Sequence, residues 1–142
     1  MLRRRQFVHS LGAAATALAV PAWAQSAWPS RPIRLIVPYP PGGFTDVTAR
    51  LIAQGLQARL GQPVNVDNKA GANSIIGVDL LAKSPADGYT FAMVIAAYAA
   101  NTTLYPKLPY DPRKDLTGVS LVGLSPLVAA VNNDAPYKTA AE

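Results

Sequence analysis

The chain has no cysteine, a single histidine and a single glutamate, the terminal Glu142. Without cysteine there can be no disulfide, thiolate metal site or cysteine nucleophile. The one histidine, His9, lies within the first 24 residues, which read below as a removable leader. The remainder therefore has neither His nor Cys. General acid–base catalysis most often uses His, and the Ser-His and Cys-His nucleophile pairs require it. Zinc sites draw on the same two residue types. Seven Asp remain, and no two are spaced to suggest a local carboxylate pair. No Ser-x-x-Lys pattern offers another catalytic route. Neither a catalytic residue, nor a metal, nor a cofactor is expected, and binding is favoured over catalysis.

Charge is also scarce, at 15% of residues against 50% hydrophobic, which excludes disorder on compositional grounds. The formal charge of +5 raises the question of nucleic acid. Arg3, Arg4 and Arg5 supply three of those charges, and loss of residues 1–24 leaves +2. The other Lys and Arg are scattered from Arg31 to Lys138 without a run, so no electrostatic footprint for nucleic acid remains. Thirteen prolines favour many short elements over a few long helices.

The segment 1–24 has a basic start, an apolar run from Leu11 to Val20 and a small-x-small end at Ala22-Trp23-Ala24. This is the layout of a secretory signal peptide. The run is too short for a spanning helix, which needs roughly 20 residues. Arg4-Arg5-Gln6-Phe7-Val8 matches the twin-arginine export pattern, with general export or an uncleaved anchor as alternatives. Export to the periplasm is expected, with cleavage after Ala24 and no membrane embedding afterwards.

Ile33 to Val37 is β-branched, apolar and bounded by prolines, and reads as a strand. A Pro/Gly loop spans 38–46. Apolar residues at 47, 51, 52, 56 and 60 give helical spacing over Val47 to Leu60, and Gly61 supplies a left-handed end. Val64 to Val66 reads as a strand, 68–74 as a polar loop, and Ile75 to Lys83 as a helix with Ile76, Leu80 and Leu81 on one side. Thr90 to Ile95 reads as a buried strand and 96–101 as a loop. Tyr105 to Asp115 is Pro-rich and irregular, followed by expected strands at Leu121 to Leu124 and Leu127 to Val131. The order predicts an α/β fold: right-handed crossovers on a parallel sheet with helices on both faces. Ligands of such sheets bind beyond the carboxyl ends of the strands, at the loops 38–46, 68–74 and 96–101. Thr139-Ala140-Ala141-Glu142 has a capping-box pattern, so a further helix and a longer natural domain are expected.

Five motifs occur in order: Trp28-Pro29-Ser30-Arg31-Pro32-Ile33, the run Pro38 to Asp46, Leu60-Gly61-Gln62-Pro63-Val64, Asp87-Gly88-Tyr89-Thr90, and the run Leu104 to Pro112. Together they resemble the Bug family, the substrate-binding proteins of tripartite tricarboxylate transporters. The resemblance implies a periplasmic-binding-protein-like fold of two lobes, a small organic-acid ligand and membrane permease partners. On that basis 1–24 is the leader, 25–104 the first lobe, and 105–142 the segment crossing toward a second lobe.

Gly42 and Gly43 can take backbone angles closed to other residues and let a ligand approach the main chain. The helix that follows offers free N–H groups to a carboxylate. Thr45 or Asp46 could equally serve only as the helix cap. Asp46 could accept a hydrogen bond from a ligand hydroxyl or amine, and Tyr39 either lines the pocket or packs on the loop exterior. The family pattern Gly-Ala-Gly-Gly-x-x-Gly stands here as Gly71-Ala72-Asn73-Ser74-Ile75-Ile76-Gly77, so Asn73 and Ser74 are ligand candidates that keep backbone donors and add side-chain ones. Where the family often has Ser or Thr, this chain has Ala96, Ala97 and Tyr98; Ala97 completes the candidate set. The missing hydroxyls point to a monocarboxylate with an apolar or aromatic body. Two other readings stand beside this one. A secreted hydrolase with the glycine loop as oxyanion hole lacks a base. A truncated remnant or interaction module would not close on a ligand, since closure needs both lobes.

Overall fold

A computed structural model describes residues 28–126, 130–136 and 139. Ile33–Val37 forms strand β1, with Ile33, Leu35, Ile36 and Val37 all buried. A strand covered on both faces needs a nearly continuous apolar run, and that is what the sequence supplies. Helix α1, Phe44–Leu60, begins three residues before the expected start, with Gly43 as its cap. Its buried face is Thr45, Asp46, Ala49 and Ala53. The large apolar residues of the helical spacing do not form this face, since Val47 and Leu51 are 51% and 64% exposed. The small side chains at 49 and 53 let the helix approach the sheet, and Ile33, Leu35, Val37 and Val64 fill the contact. Gly61 ends the helix at φ 69°, its N–H donating to the Gln57 carbonyl at 3.0 Å, as the sequence implied.

Strand β2 is Val64–Asn68. A single 3₁₀ turn, Ala72–Ser74, leads into helix α2, Ile75–Ala82, which buries Gly77 and Val78 while Ile76 points outward. Strand β3 is Thr90–Ala92, shorter than expected. Met93 still donates to the Ile36 carbonyl at 2.9 Å, and Val94 and Ile95 then leave the sheet exposed. The segment expected as a third loop is instead helix α3, Ala96–Leu104. Alanine is the strongest helix former, and Ala96, Ala97, Ala99 and Ala100 outweigh the polar ending.

The strands are parallel in the order β2-β1-β3. Helix α1 packs on β1 and β2, and α2 on β1 and β3. Right-handed crossovers in that order put the two helices on opposite faces. The predicted α/β class holds. Beyond α3 the chain runs irregularly through Asp115, as expected. Leu121 to Leu124 is not a strand: it is exposed and pairs with no other segment among the described residues, and a strand exists only as a paired ladder. The leader, most of the second expected strand and the helix start after Thr139 lie outside the described residues.

Two of the five motifs are explained at the amino end of the sheet, away from the expected ligand edge. Trp28 packs against Tyr89 at 6.2 Å between ring centroids, and Arg31 lies 4.1 Å over the same ring. The Ser30 N–H donates to the Tyr89 hydroxyl at 2.9 Å, and Arg31 pairs with Asp87 at 2.7 Å. These contacts seat the entry to β1 against the turn before β3. A third motif wraps α3: Tyr110 is buried, and the Tyr98 hydroxyl donates to the Pro112 carbonyl at 2.9 Å.

Candidate ligand site at the carboxyl edge of the sheet

Three chain segments leave the carboxyl ends of the strands: one after Val37, one after Asn68 and one after Ala92. In the order β2-β1-β3 the crevice of such a sheet lies outside β1 and β3, where successive connections diverge. Side chains tie the three segments together. Asn68, the last residue of β2, donates to the Tyr39 carbonyl at 3.2 Å and to Asp46 Oδ1 at 2.9 Å. Gly77 lets α2 pass close under both of the first two loops: a Cβ there would stand 2.6 Å from Pro38 Cβ and 2.9 Å from the Lys69 carbonyl oxygen. Asn101 of α3 reaches the second loop, as described below.

The first loop is organised by Asp46, which is 3% exposed. Its Oδ2 accepts the Gly42 N–H at 2.8 Å and Arg50 Nε at 3.1 Å. Its Oδ1 accepts Asn68 and faces Arg50 Nη2 at 3.0 Å. Arg50 Nη2 also donates to Asn68 Oδ1 at 3.1 Å. The hydrogen bond from Arg50, then those from Gly42 and Asn68, hold the Asp46 carboxyl at about 2, against burial that opposes ionisation. This carboxylate is saturated within the chain, so its geometry fits a loop-fixing role and leaves little capacity for a ligand donor. Neither Thr45 nor Asp46 is the helix cap. Gly43 holds that place, and Asp46 reaches back from the third helical position to the N–H at 42.

The two glycines differ. Gly42 has φ +81°, where a side chain is strained, and nothing lies within 4 Å of a Cβ built there. Gly43 has φ −77° and ψ 168°, open to any residue. Only Gly42 thus needs glycine for its backbone angle. The N–H groups of Phe44, Thr45 and Asp46 have no helical partner one turn earlier. Thr45 is buried. Tyr39 is half-buried against the core, with its hydroxyl unpartnered among the described residues, as are the Tyr110 hydroxyl and Asp79 Oδ1. Burial, together with Tyr98, Asp79 and Tyr39, pushes the Tyr110 phenol up.

In the second loop three successive non-glycine residues are left-handed: Ala72 at φ 45°, Asn73 at 51° and Ser74 at 76°. The left-handed helical conformation costs roughly 1–2 kcal/mol for an ordinary residue, with Asn the most tolerant. Asn73 and Ser74 thus stand where the family's glycines would be free of strain. Asn101, wholly buried, compensates. Its Oδ1 accepts Asn73 Nδ2 at 2.7 Å, and its Nδ2 donates to the Asn73 carbonyl at 2.8 Å and faces Ser74 Oγ at 3.4 Å. Sequence reasoning placed Asn101 only within a loop and did not single it out. The available signal was a lone Asn in an alanine-rich helical run.

Ala97 lies in the first turn of α3, half-buried. Among the described residues no hydrogen bond links the Gly42–Asp46 group directly to Asn73 or Ser74; they meet through Asn68, Pro38 and Gly77. Two shallow grooves lie elsewhere, along α1 and β2 and at the Gly61–Pro63 turn, away from this edge. Asp111 and Asp115 act as turn caps through the main chain, not as a carboxylate pair. Asp115 accepts the Asp111 N–H at 2.7 Å, and Asp111 accepts the Arg113 N–H at 2.9 Å. No group of acids or histidines among the described residues could hold a metal ion, and no described helix is long and apolar enough to cross a membrane.

Comparison with known proteins gives this edge a context. The sequence model of the tripartite tricarboxylate transporter family receptor matches residues 48–142. Protein BugT of Bordetella pertussis is 52% identical over 107 residues, which cover 74% of this chain and 33% of BugT. Among solved structures, Rpa4515 of R. palustris with adipate is 42% identical, with a TM-score of 0.58 over 61% of this chain and 29% of that one. MatC (Rpa3494) of Rhodopseudomonas palustris with bound malate is 36% identical, also at TM-score 0.58, over 62% of this chain and 30% of that one. The chain spans about a third of the length of these relatives. By the family match and the shared fold, this chain belongs to the tripartite tricarboxylate transporter family receptors, the group that includes the Bug proteins.

Proposed function

We propose that the chain captures a small organic acid at the carboxyl edge of its sheet and presents it, untransformed, to membrane permease subunits of the tripartite type. The observation that carries this reading is the start of α1. Gly42 leaves open space in front of the main chain, and the N–H groups of Phe44 to Asp46 stand free behind it. A helix start of this kind suits a carboxylate. Asp46 at the third position offsets part of the positive helix end, and Arg50 restores the balance. Exposed Phe44, Ile76, Val94 and Ile95 begin the elements around that edge and suit an apolar ligand body. The malate and adipate held by the two related proteins fall in the same chemical class.

The reading extends to the periplasm as the compartment, on the strength of the leader pattern in 1–24. Protein recovered from the periplasm should begin at Gln25; cytoplasmic material retaining Met1 would count against export. For the ligand, calorimetry on the exported protein against benzoate, adipate, malate and citrate is expected to give saturable binding of at least one acid. The matching amide should not bind. Equal binding of acid and amide, or of none of the acids, would overturn the carboxylate assignment.

A further inference from the structure

We infer that Asn101 is the positioning residue that keeps the second ligand loop left-handed without glycine, so that α3 sets the shape of a neighbouring loop. The inference rests on the proposed ligand role of loop 71–77 for its functional meaning, but its geometric content stands separately.

Three observations combine. The first is the run of three positive φ values at Ala72, Asn73 and Ser74, all residues with a Cβ. Such a run persists only where surrounding contacts fix it. The second is the completeness of the Asn101 contacts. A carboxamide has one carbonyl oxygen and two N–H hydrogens, and here the oxygen takes the Asn73 side chain while the nitrogen serves the Asn73 carbonyl and faces Ser74 Oγ. Asn101 thereby reads both the main chain and the side chain of the middle residue of the turn. The third is burial: Asn101 and Ser74 are 0% and 2% exposed, so neither can exchange these partners for water. A buried amide with all its groups matched by one turn specifies that turn, since any other backbone path would leave them unpaired.

The consequence is a division of labour. With glycine at 73 and 74 only Ala72 of the three left-handed residues would stay strained, and the turn would depend far less on a clasp. With Asn and Ser it needs one, and the clasp comes from α3. The side chains of Asn73 and Ser74 are then held in fixed directions beside the ligand edge, and any preference they impose on the ligand depends on Asn101.

The test is a suppressor experiment. Asn101→Leu keeps the size but removes both halves of the clasp. It is examined in the parent and in a background carrying Asn73→Gly and Ser74→Gly. Backbone couplings and amide shifts of residues 72–74 report the turn by NMR, and calorimetry with malate and adipate reports binding. In the parent background Asn101→Leu should abolish the left-handed couplings and weaken binding of whichever probe binds by about tenfold or more. In the glycine background the same change should leave the couplings unaltered and cost binding no more than about twofold. If Asn101→Leu leaves the couplings of 72–74 unchanged in the parent, or harms both backgrounds alike, Asn101 is simply a packed residue and the inference fails. If the couplings respond as expected while no carboxylate binds even the unmodified protein, the clasp stands and the ligand reading of the site falls.

Discussion

The loops after β1 and β2 face the same edge of one sheet, yet they are held in opposite ways. The first is closed mainly from within, with Asn68 of β2 as an added distant donor. Asp46 reaches back four residues to the Gly42 N–H, Arg50 comes from the next turn of the same helix, and glycine occupies the one position with positive φ. The second is held from outside. After Gly71, three successive positive-φ positions carry Ala, Asn and Ser, and their stabilising partner lies 28 residues away on α3. A loop built from local contacts can form as soon as its helix forms. A loop that depends on a distant clasp forms only when the third layer of the fold has docked. The difference shows that two loops at one edge of a sheet need not share a physical origin.

The largest expected effect breaks both loops together. Gly77→Val would drive a side chain into Pro38 and the Lys69 carbonyl, where α2 supports the two loops at once. Backbone cannot yield cheaply there, so urea unfolding should show a loss of about 3 kcal/mol or more. A loss under about 1 kcal/mol would mean that α2 does not pack as closely as described.

Gly42→Ala separates the loops, because the first has its single positive-φ position filled by glycine whereas the second has three that are not. The φ of +81° should cost about 1–2 kcal/mol in thermal unfolding, although the space in front of the residue is empty. Asp46 gives the same loop an acid sensitivity that the second lacks. Its carboxyl titrates at about 2 in the folded chain against an ordinary 3.8. A lowered value means the contribution is fully present above about pH 4 and is lost as pH falls through about 2. Comparing unfolding midpoints of the parent and Asp46→Asn between pH 6 and pH 2, the parent should lose its advantage only in that acid window. A constant difference down to pH 2 would show that the carboxylate charge is not what fixes the loop. The smallest effect is expected at Gly43→Ala. With φ −77° and the nearest atom, the Pro40 carbonyl oxygen, at 3.7 Å, stability should change by less than about 0.5 kcal/mol. Any fall in ligand binding by that variant then reports main-chain approach and not folding.

Much of the first loop was legible in the sequence, because its logic is local. Strand β1, the Pro/Gly turn, the helix and its Gly61 end can all be read from residues next to one another. The buried face of α1 was not legible, since spacing marks large apolar residues such as Val47 and Leu51 while the sheet accepts the small face of Ala49 and Ala53. Helix α3 was missed for a related reason: an alanine-rich run has helix propensity but no strong apolar stripe, and its place after a strand reads as a sheet-edge loop. Leu121 to Leu124 showed the converse error, an apolar run with no partner strand among the described residues.

The sequence by itself determined the absence of the usual catalytic groups, the parallel α/β order, the leader pattern and the glycine-to-helix turn, because each depends on composition or on neighbours along the chain. Tertiary structure alone decided that Asp46 is already fully engaged, that Trp28 and Tyr89 serve the far end of the sheet, and that Asn101 clasps a left-handed turn. Those facts depend on groups from different parts of the chain meeting in space, and no spacing rule carries that information.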